Sequence, residues 1–392
     1  MRIALTNNFF EPLATGSTHF TRELATQLTK NGHDILVITA TPAAAGDQRA
    51  QGALFPIERV RAWRINFGKA AYNYDIPFAT RPSVIRSVNR LLDDFQPDVI
   101  HQNGQFFDLS FITGLWAKRK NVPTVLNVHT ALLHESPRFD RLLRTADRYG
   151  VRPALSVYKP HLVSSDKRVG RYVADRYPKL PHSSAGYPVD ITGVRNGDGE
   201  AIRSVLGIGD RPMILSIGHV IPMRNRVLLM QALAIVKNEV PDVIAVIVGK
   251  LYDRAFLDVA DSLGITDAVV ASGPVPHRNV KHYVAAANVE SHDLQNVGIG
   301  ISTLEAMAAG APVVTVNDYD TFPYAPLTDG EDILIAEPTP ESVATRMVSL
   351  LTDSELNRTV GAGGRAYVER NFAPESVAAE YEAIYAEVLG GS

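Results

Sequence analysis

Gly298-Ile-Gly-Ile-Ser-Thr-Leu-Glu-Ala-Met-Ala-Ala-Gly-Ala-Pro-Val-Val314 reads as a glycine loop, a short helix and the start of a buried strand. Gly298 and Gly300 allow close backbone approach to a ligand. From about Ser302 strong helix formers follow, until Gly310 and Pro312 stop them and Val313-Val314 open a strand. The start of such a helix presents free amide hydrogens and the positive end of its dipole, an anion site that a diphosphate fits. Glu305, one turn in, is placed to accept hydroxyl hydrogens from a ribose attached to that diphosphate. A competing reading makes Ser302-x-x-Glu305 a capping box, with Glu305 satisfying only backbone donors.

The same strand and helix alternation extends on both sides. In the second half, strands are expected at residues 213–217, 245–248, 269–271 and 313–316, and helices at about 227–238, 255–263, 302–309 and 340–351. In the first half, a strand at 2–6 leads through Thr15-Gly16-Ser17 to a helix at about 18–31 that stops at Gly32, and strands follow at 35–39, 99–101, 124–128 and 161–164. A Pro/Gly/Ser-rich stretch, residues 180–188, separates the halves and reads as a linker. The expectation is an α/β protein of two Rossmann-like domains with parallel sheets, residues 1–185 and 186–372, and a C-terminal helix over 373–392. Val360, Tyr367, Val368, Val377, Tyr381, Ile384 and Tyr385 give the tail apolar faces with which to pack back on the domains.

The 392 residues are 45% hydrophobic and 21% charged, the profile of two or three globular domains. With no cysteine, disulfides, thiolate nucleophiles and zinc ribbons are excluded. The net charge of -3 hides an asymmetry: residues 1–190 hold 25 Lys and Arg against 16 Asp and Glu (+9), and the remainder holds 14 against 26 (-12). A basic first half suggests an anionic partner. Thr6, Asn7 and Asn8 break any signal-peptide core, and an aliphatic run such as 243–248 is far too short to span a bilayer. The expected location is cytoplasmic, with a peripheral seat on the inner membrane face as the alternative. No Gly-x-Gly-x-x-Gly follows the first strand and no Gly-Lys-Ser/Thr loop occurs, which disfavours dehydrogenases and P-loop enzymes. No His/Asp/Glu spacing suggests a metal, so no metal or other cofactor is expected, and nucleic acid is not an expected partner.

The opening segment also resembles the donor-site signature of retaining glycosyltransferases of family 4, within the GT-B fold group: Glu, seven residues, Glu-Ala-Met-Ala-x-Gly-x-Pro-Val-Val. Gly32-His33 resembles the Gly-His closing that family's first helix, and Pro97-Asp98-Val99-Ile100-His101 its Pro-Asp-x-x-His strand. Val128-His129-Thr130 is similar to its second His segment, Val189-Asp190 to its linker Val-Asp, and Leu215-Ser-Ile-Gly218 to the opening strand of its second domain. Asp329-Gly330-Glu331, Arg365 and residues 369–372 resemble its closing region. The resemblance spans essentially the whole chain. It implies a GT-B fold whose C-terminal helix crosses back to an acceptor-side first domain, and a second domain that binds a nucleoside diphosphate sugar.

The resemblance further implies that Glu305 binds ribose, that the Gly300, Ile301 and Ser302 backbone binds diphosphate, and that Gly16 closes over the phosphates from the other domain. His129 would sit beside the transferred sugar; a lone histidine near a strand end is otherwise a structural one. Residues 273–276, Val275 among them, would border the base. The chain departs from the pattern at three positions. The family's usual Arg and Lys after Gly218 are here His219 and Arg224. Arg224 keeps the charge that neutralises a leaving diphosphate, whereas His219 does so only when protonated. Lys250 and Arg226 are possible substitutes, each otherwise read as a solvated surface residue. The first Glu of the signature is Val297, so a donor hydroxyl recognised there is missing, or Glu290 or Asp293 reaches in instead, or transfer has been lost.

Arg138, Arg141, Arg144, Arg148 and Arg152 recur at spacings of three and four, one face of a helix, suited to an anionic membrane or phosphorylated acceptor or else merely solvated. Phe9-Phe10 and Phe106-Phe107 follow strand ends, where they suit an apolar acceptor or the core. The expected activity is transfer of a sugar from a UDP- or GDP-sugar, with retention, to an anionic or apolar acceptor. A transferase coupling an unusual donor to a cyclitol or natural product is one alternative, and a catalytically impaired nucleotide-sugar binding protein is another.

Overall fold

A computed structural model describes residues 1–11, 15–41, 52–66, 68, 75–134, 136–295, 298–316 and 323–391. The chain divides into two compact units, Met1–Pro188 with Pro374–Ser392, and Val189–Ala373. The first contains β1 (Arg2–Asn7), α1 (Gly16–Lys30), β2 (Asp34–Thr39), β3 (Ile57–Arg59), β4 (Trp63–Asn66), β5 (Asp75–Phe78), α2 (Pro82–Phe95), β6 (Val99–Asn103) and α3 (Asp108–Lys120). It continues through β7 (Thr124–Val128), α4 (Pro137–Ala146), α5 (Arg152–Tyr158), β8 (His161–Ser164), α6 (Lys167–Arg176) and β9 (His182–Ser184). A parallel sheet runs in the order β3-β2-β1-β6-β7-β8-β9, and β4 and β5 form a separate antiparallel pair.

The second unit holds α7 (Ile191–Arg195), α8 (Gly199–Leu206), β10 (Met213–Ile217), α9 (Arg226–Glu239), β11 (Ile244–Val248), α10 (Ala255–Ser262), β12 (Val269–Gly273) and α11 (His277–Ala286). It ends with β13 (Val289–Asp293), α12 (Ile301–Ala309), β14 (Val313–Val316), β15 (Leu334–Ala336), α13 (Pro340–Thr352) and α14 (Ser354–Asn371). Its sheet, also parallel, is ordered β12-β11-β10-β13-β14-β15. Strands buried on both faces need apolar residues at successive positions, and β10 and β11 supply them. Ile214, Ala245 and Ile247 pack with α9 and α13, and Met213, Leu215 and Val246 pack with α11 and α12.

The last helix, α15 (Pro374–Gly390), belongs to the first unit. Its Val377, Tyr381 and Tyr385 join Ile3, Leu5, Phe20, Leu24 and Leu28 in one core, the last three recurring every fourth residue along α1. Polar contacts also join α15 to the rest of the unit. Tyr385 Oη lies 2.6 Å from His101 Nδ1, Asn127 Nδ2 donates to Tyr381 Oη at 2.6 Å, and His33 Nε2 meets Glu382 at 2.9 Å. The helix also carries four glutamates, so the folded first unit has 25 basic against 19 acidic residues and the second 14 against 23.

Residues 182–184, within the stretch read as a linker, pair with β8 as an edge strand, because His161 Nε2 finds Ser183 Oγ at 2.8 Å and Ala185 is buried. The C-terminal helix expected over 373–392 is α15, set off from α14, which Asp353 caps and Phe372 ends before Pro374. In each sheet the strand order reverses once, between β1 and β6 and between β10 and β13. The crevice beyond the carboxyl ends of such strands is where open α/β sheets bind ligands.

Candidate functional site

In the second unit, β10 runs into Gly218, whose φ of +122° and amide bond to Val248 O (2.8 Å) turn the chain sharply. A Cβ on Gly218 would overlap the Arg224 guanidinium, so that side chain lies directly on the glycine. A 3-10 turn, Pro222–Arg224, presents Arg224 just before α9. Asn225 follows at φ +39°; its Oδ1 caps α9 through Leu228 N (3.3 Å), and its Nδ2 donates to Asp293 Oδ2 (3.1 Å).

Across the switch point α12 begins at Gly300 with no side-chain cap. Its first intrahelical bonds are Thr303 N and Leu304 N to Gly300 O, so the Ile301 and Ser302 amides precede the ladder. Ser302 Oγ instead donates to Ile217 O at 3.3 Å, tying the helix start to the end of β10. The capping-box reading is therefore overturned: Glu305, 4% exposed, bonds the side chain of His277 (Nε2 to Oε1, 2.6 Å). His277 opens α11 directly after Val275-Pro276, and Val275 packs on the core beside that helix. Thus Gly300, Ile301, Ser302, Glu305, Val275, His219 and Arg224 are gathered at one end of one sheet. His277 is the member missed from sequence; its only signal was a histidine just past a Gly-Pro-Val-Pro turn.

Burial lowers the His219 pKa to about 4, with the Arg224 and Lys250 charges acting in the same direction, so at neutral pH this residue is a neutral donor or acceptor. Lys250 is exposed, its Nζ 4.8 Å from the Tyr252 ring. Arg226 contradicts its reading as a surface residue: it is 4% exposed, and its Nη1 donates to Arg224 O at 3.0 Å. Glu290 does not reach toward a ligand either. It is fully buried against His292 Nδ1 (2.9 Å), and burial raises its pKa to about 8 despite the charges of Arg226 and Arg224. Val297 lies outside the described residues. Among the described residues no cluster of three or more His, Asp or Glu is placed to hold a metal ion.

In the first unit, Gly16 is the exposed first residue of α1, which Thr15 caps through Thr18 N (3.2 Å). His129 follows β7 and touches the same helix through the Phe20 ring, 5.1 Å between centroids. Its Nε2 donates to Asn103 Oδ1 (2.8 Å) and its Nδ1 accepts from Tyr187 Oη (3.3 Å), while burial lowers its pKa to about 4. Both ring nitrogens are thus engaged within the unit. Phe10 belongs to the core, and Phe9 packs edge-on against Phe107, 5.2 Å apart. Arg138, Arg141, Arg144, Arg148 and Arg152 are exposed along α4, a π-helical turn (Asp147–Val151) and the start of α5, beside Leu142 and Tyr149 at 57% and 72% exposure. Among the described residues no helix is long and apolar enough to cross a membrane.

Two family models match the chain, "Glycosyl transferase 4-like domain" over residues 15–161 and "Glycosyl transferases group 1" over residues 198–367. The GDP-mannose-dependent alpha-(1-6)-phosphatidylinositol monomannoside mannosyltransferase of Mycolicibacterium smegmatis is 26% identical over 228 residues, 52% of this chain and 57% of that one. A D-inositol 3-phosphate glycosyltransferase of Kineococcus radiotolerans is 25% identical over 401 aligned positions, 92% of this chain and 89% of that one. Among the curated relatives several matches, like that to the M. smegmatis protein, span only about half of the relative's length. The Anabaena protein Alr3699/HepE, solved in complex with UDP and glucose, superposes with a TM-score of 0.75 at 16% identity, covering 99% of this chain and 100% of that one. With both halves matched in order and both sheets built as described, this chain belongs to the group 1 glycosyl transferases, family 4 type, and has the GT-B fold.

Proposed function

We propose that the chain transfers a sugar from a nucleoside diphosphate sugar of the UDP or GDP type to an acceptor, with retention of anomeric configuration. The supporting observation is the convergence, within the second unit, of the uncapped start of α12 with Arg224 and Glu305. A helix start and a permanent cation suit a diphosphate, and a buried carboxylate beside them suits the ribose hydroxyls. Residues 273–275 border the base. In the reaction the bond from the anomeric carbon to the diphosphate oxygen breaks, its electron pair leaving with the diphosphate. The acceptor oxygen bonds that carbon on the same face and its proton passes to the departing phosphate. Arg224 and the α12 amides hold the charge that develops, while neutral His219 contributes a hydrogen bond only. Gly16 and His129 are the proposed contributions of the first unit.

The acceptor we propose is anionic. The first unit is basic, its five-arginine row is exposed beside Leu142 and Tyr149, and the relatives' names carry phosphatidylinositol and inositol phosphate. A peripheral seat on an anionic membrane at the cytoplasmic face fits the same surface. The neutral state of His219 favours one second reading, a nucleotide-sugar binding protein with impaired catalysis. Single-turnover incubation with radiolabelled UDP-glucose and GDP-mannose separates the two. Release or transfer of labelled sugar, lowered at least about 100-fold by Arg224→Ala, supports the transferase. Donor binding with neither outcome supports the binding protein.

A further inference from the structure

Arg226 is the residue of the second unit whose placement the proposed chemistry leaves unexplained. It occupies the first position of α9, where its neighbours Leu228, Leu229 and Met230 are buried and apolar, yet it is itself a guanidinium with 4% exposure. One nitrogen, Nη1, donates to Arg224 O at 3.0 Å, whereas Nε and Nη2 bond no protein atom among the described residues and border a small cavity lined by Ser216, His292, Asp293 and Thr315. The titratable groups around it are Glu290 and Asp293 on β13 and Arg224 on the preceding turn; Glu290, its pKa raised by burial to about 8, is bonded to neutral His292. Burying a guanidinium is costly, and an apolar side chain here would pack more favourably. Its one direct bond falls on the residue whose guanidinium faces the candidate diphosphate site. We infer that Arg226 is a positioning residue for Arg224, holding the Pro222–Arg224 turn from inside the protein while the Asp293 carboxyl faces its charge there. The neighbouring Asn225 to Asp293 bond ties the other side of the same turn to β13.

This inference rests on the proposed reading of the site as one for a nucleoside diphosphate, and a double-mutant cycle distinguishes the two. The affinities of UDP and of GDP are measured by calorimetry for the wild-type chain, Arg224→Gln, Arg226→Gln and the double variant. For whichever nucleotide binds more tightly, Arg226→Gln should weaken affinity about tenfold, Arg224→Gln at least as much, and the double variant no more than Arg224→Gln alone, because one residue acts through the other. Losses that multiply in the double variant, or an Arg226→Gln protein of wild-type affinity, overturn the inference alone. If wild-type protein binds neither nucleotide, the reading of the site falls and the inference with it. Should Arg226→Gln not fold, Arg226→Lys replaces it, with an expected loss of about threefold that vanishes in the Arg224→Gln background. A loss that persists there, or no loss at all, overturns the inference.

Discussion

The Arg224 guanidinium fills the space that a side chain on Gly218 would need. Gly218 also sits at φ +122°, a backbone region that side chains rarely enter. Gly218→Ala should therefore cost about 1–3 kcal/mol of stability through backbone strain. It should also displace Arg224, so that sugar release falls to the level of Arg224→Ala. Melting curves and initial rates on the same preparation check this. A folded Gly218→Ala protein with wild-type rates removes Arg224 from the chemistry.

Glu305 is oriented by His277 through a 2.6 Å bond. His277→Ala should leave the carboxylate in place but free to rotate, weakening UDP or GDP binding by about three- to tenfold, the equivalent of one ordinary hydrogen bond. Glu305→Ala should weaken it further. The double variant should match Glu305→Ala, as titration calorimetry would reveal; an undiminished His277→Ala affinity would mean that Glu305 needs no such support.

Five histidines are held below the ordinary value of 6.5, in each case first by burial: His101 to about 3, His129 and His219 to about 4, His292 well below it, and His161 also lowered. As pH falls through 6.5 the unfolded chain gains protons that the folded chain refuses until near 4, so stability present at neutral pH is lost across that window. Glu290, raised to about 8, acts in the opposite direction, contributing stability at low pH that fades as pH rises toward 8. Asp108, Asp166, Asp293 and Glu380, also raised by burial, act in the same direction as Glu290. Because the histidines lose their stabilisation throughout this window, the melting temperature should still drop by at least about 5 °C between pH 7 and pH 5. A flat profile over that range would contradict the neutral assignment.

Much of the architecture was legible because parallel sheets need continuous apolar strands and covering helices, and both leave strong periodic signals. Residues 313–316 and 124–128, for example, are strands as expected. The edge strand β9 escaped because three residues, His182-Ser-Ser184, carry no apolar run and form a strand only by pairing with β8. The glycine loop and α12 announced an anion site through local backbone chemistry. His277 and Arg226 did not, since their roles come from partners 28 residues away and from burial, neither of which leaves a local pattern. Ser302-x-x-Glu305 misled for the same reason: its local partner lost to a tertiary one.

Exposed Arg138, Arg141, Arg148 and Arg152 beside Leu142 and Tyr149 should bind anionic vesicles. Co-sedimentation with vesicles containing phosphatidylglycerol should be lost in the fourfold Arg→Ala variant and should weaken steeply with salt, at about 1 kcal/mol per arginine near the surface. Equal sedimentation of variant and wild type would mean that the row is only solvated.

Nucleotide binding by the second unit is tested most directly by the shift in melting temperature on adding UDP or GDP. At 100 times its dissociation constant a ligand stabilises by about 2.7 kcal/mol, so at least one of the two should raise the wild-type melting temperature by about 5 °C or more. The rise should disappear in Glu305→Ala and Arg224→Ala. No shift with either nucleotide in the wild-type chain, or an unchanged shift in both variants, would contradict the assignment of this site.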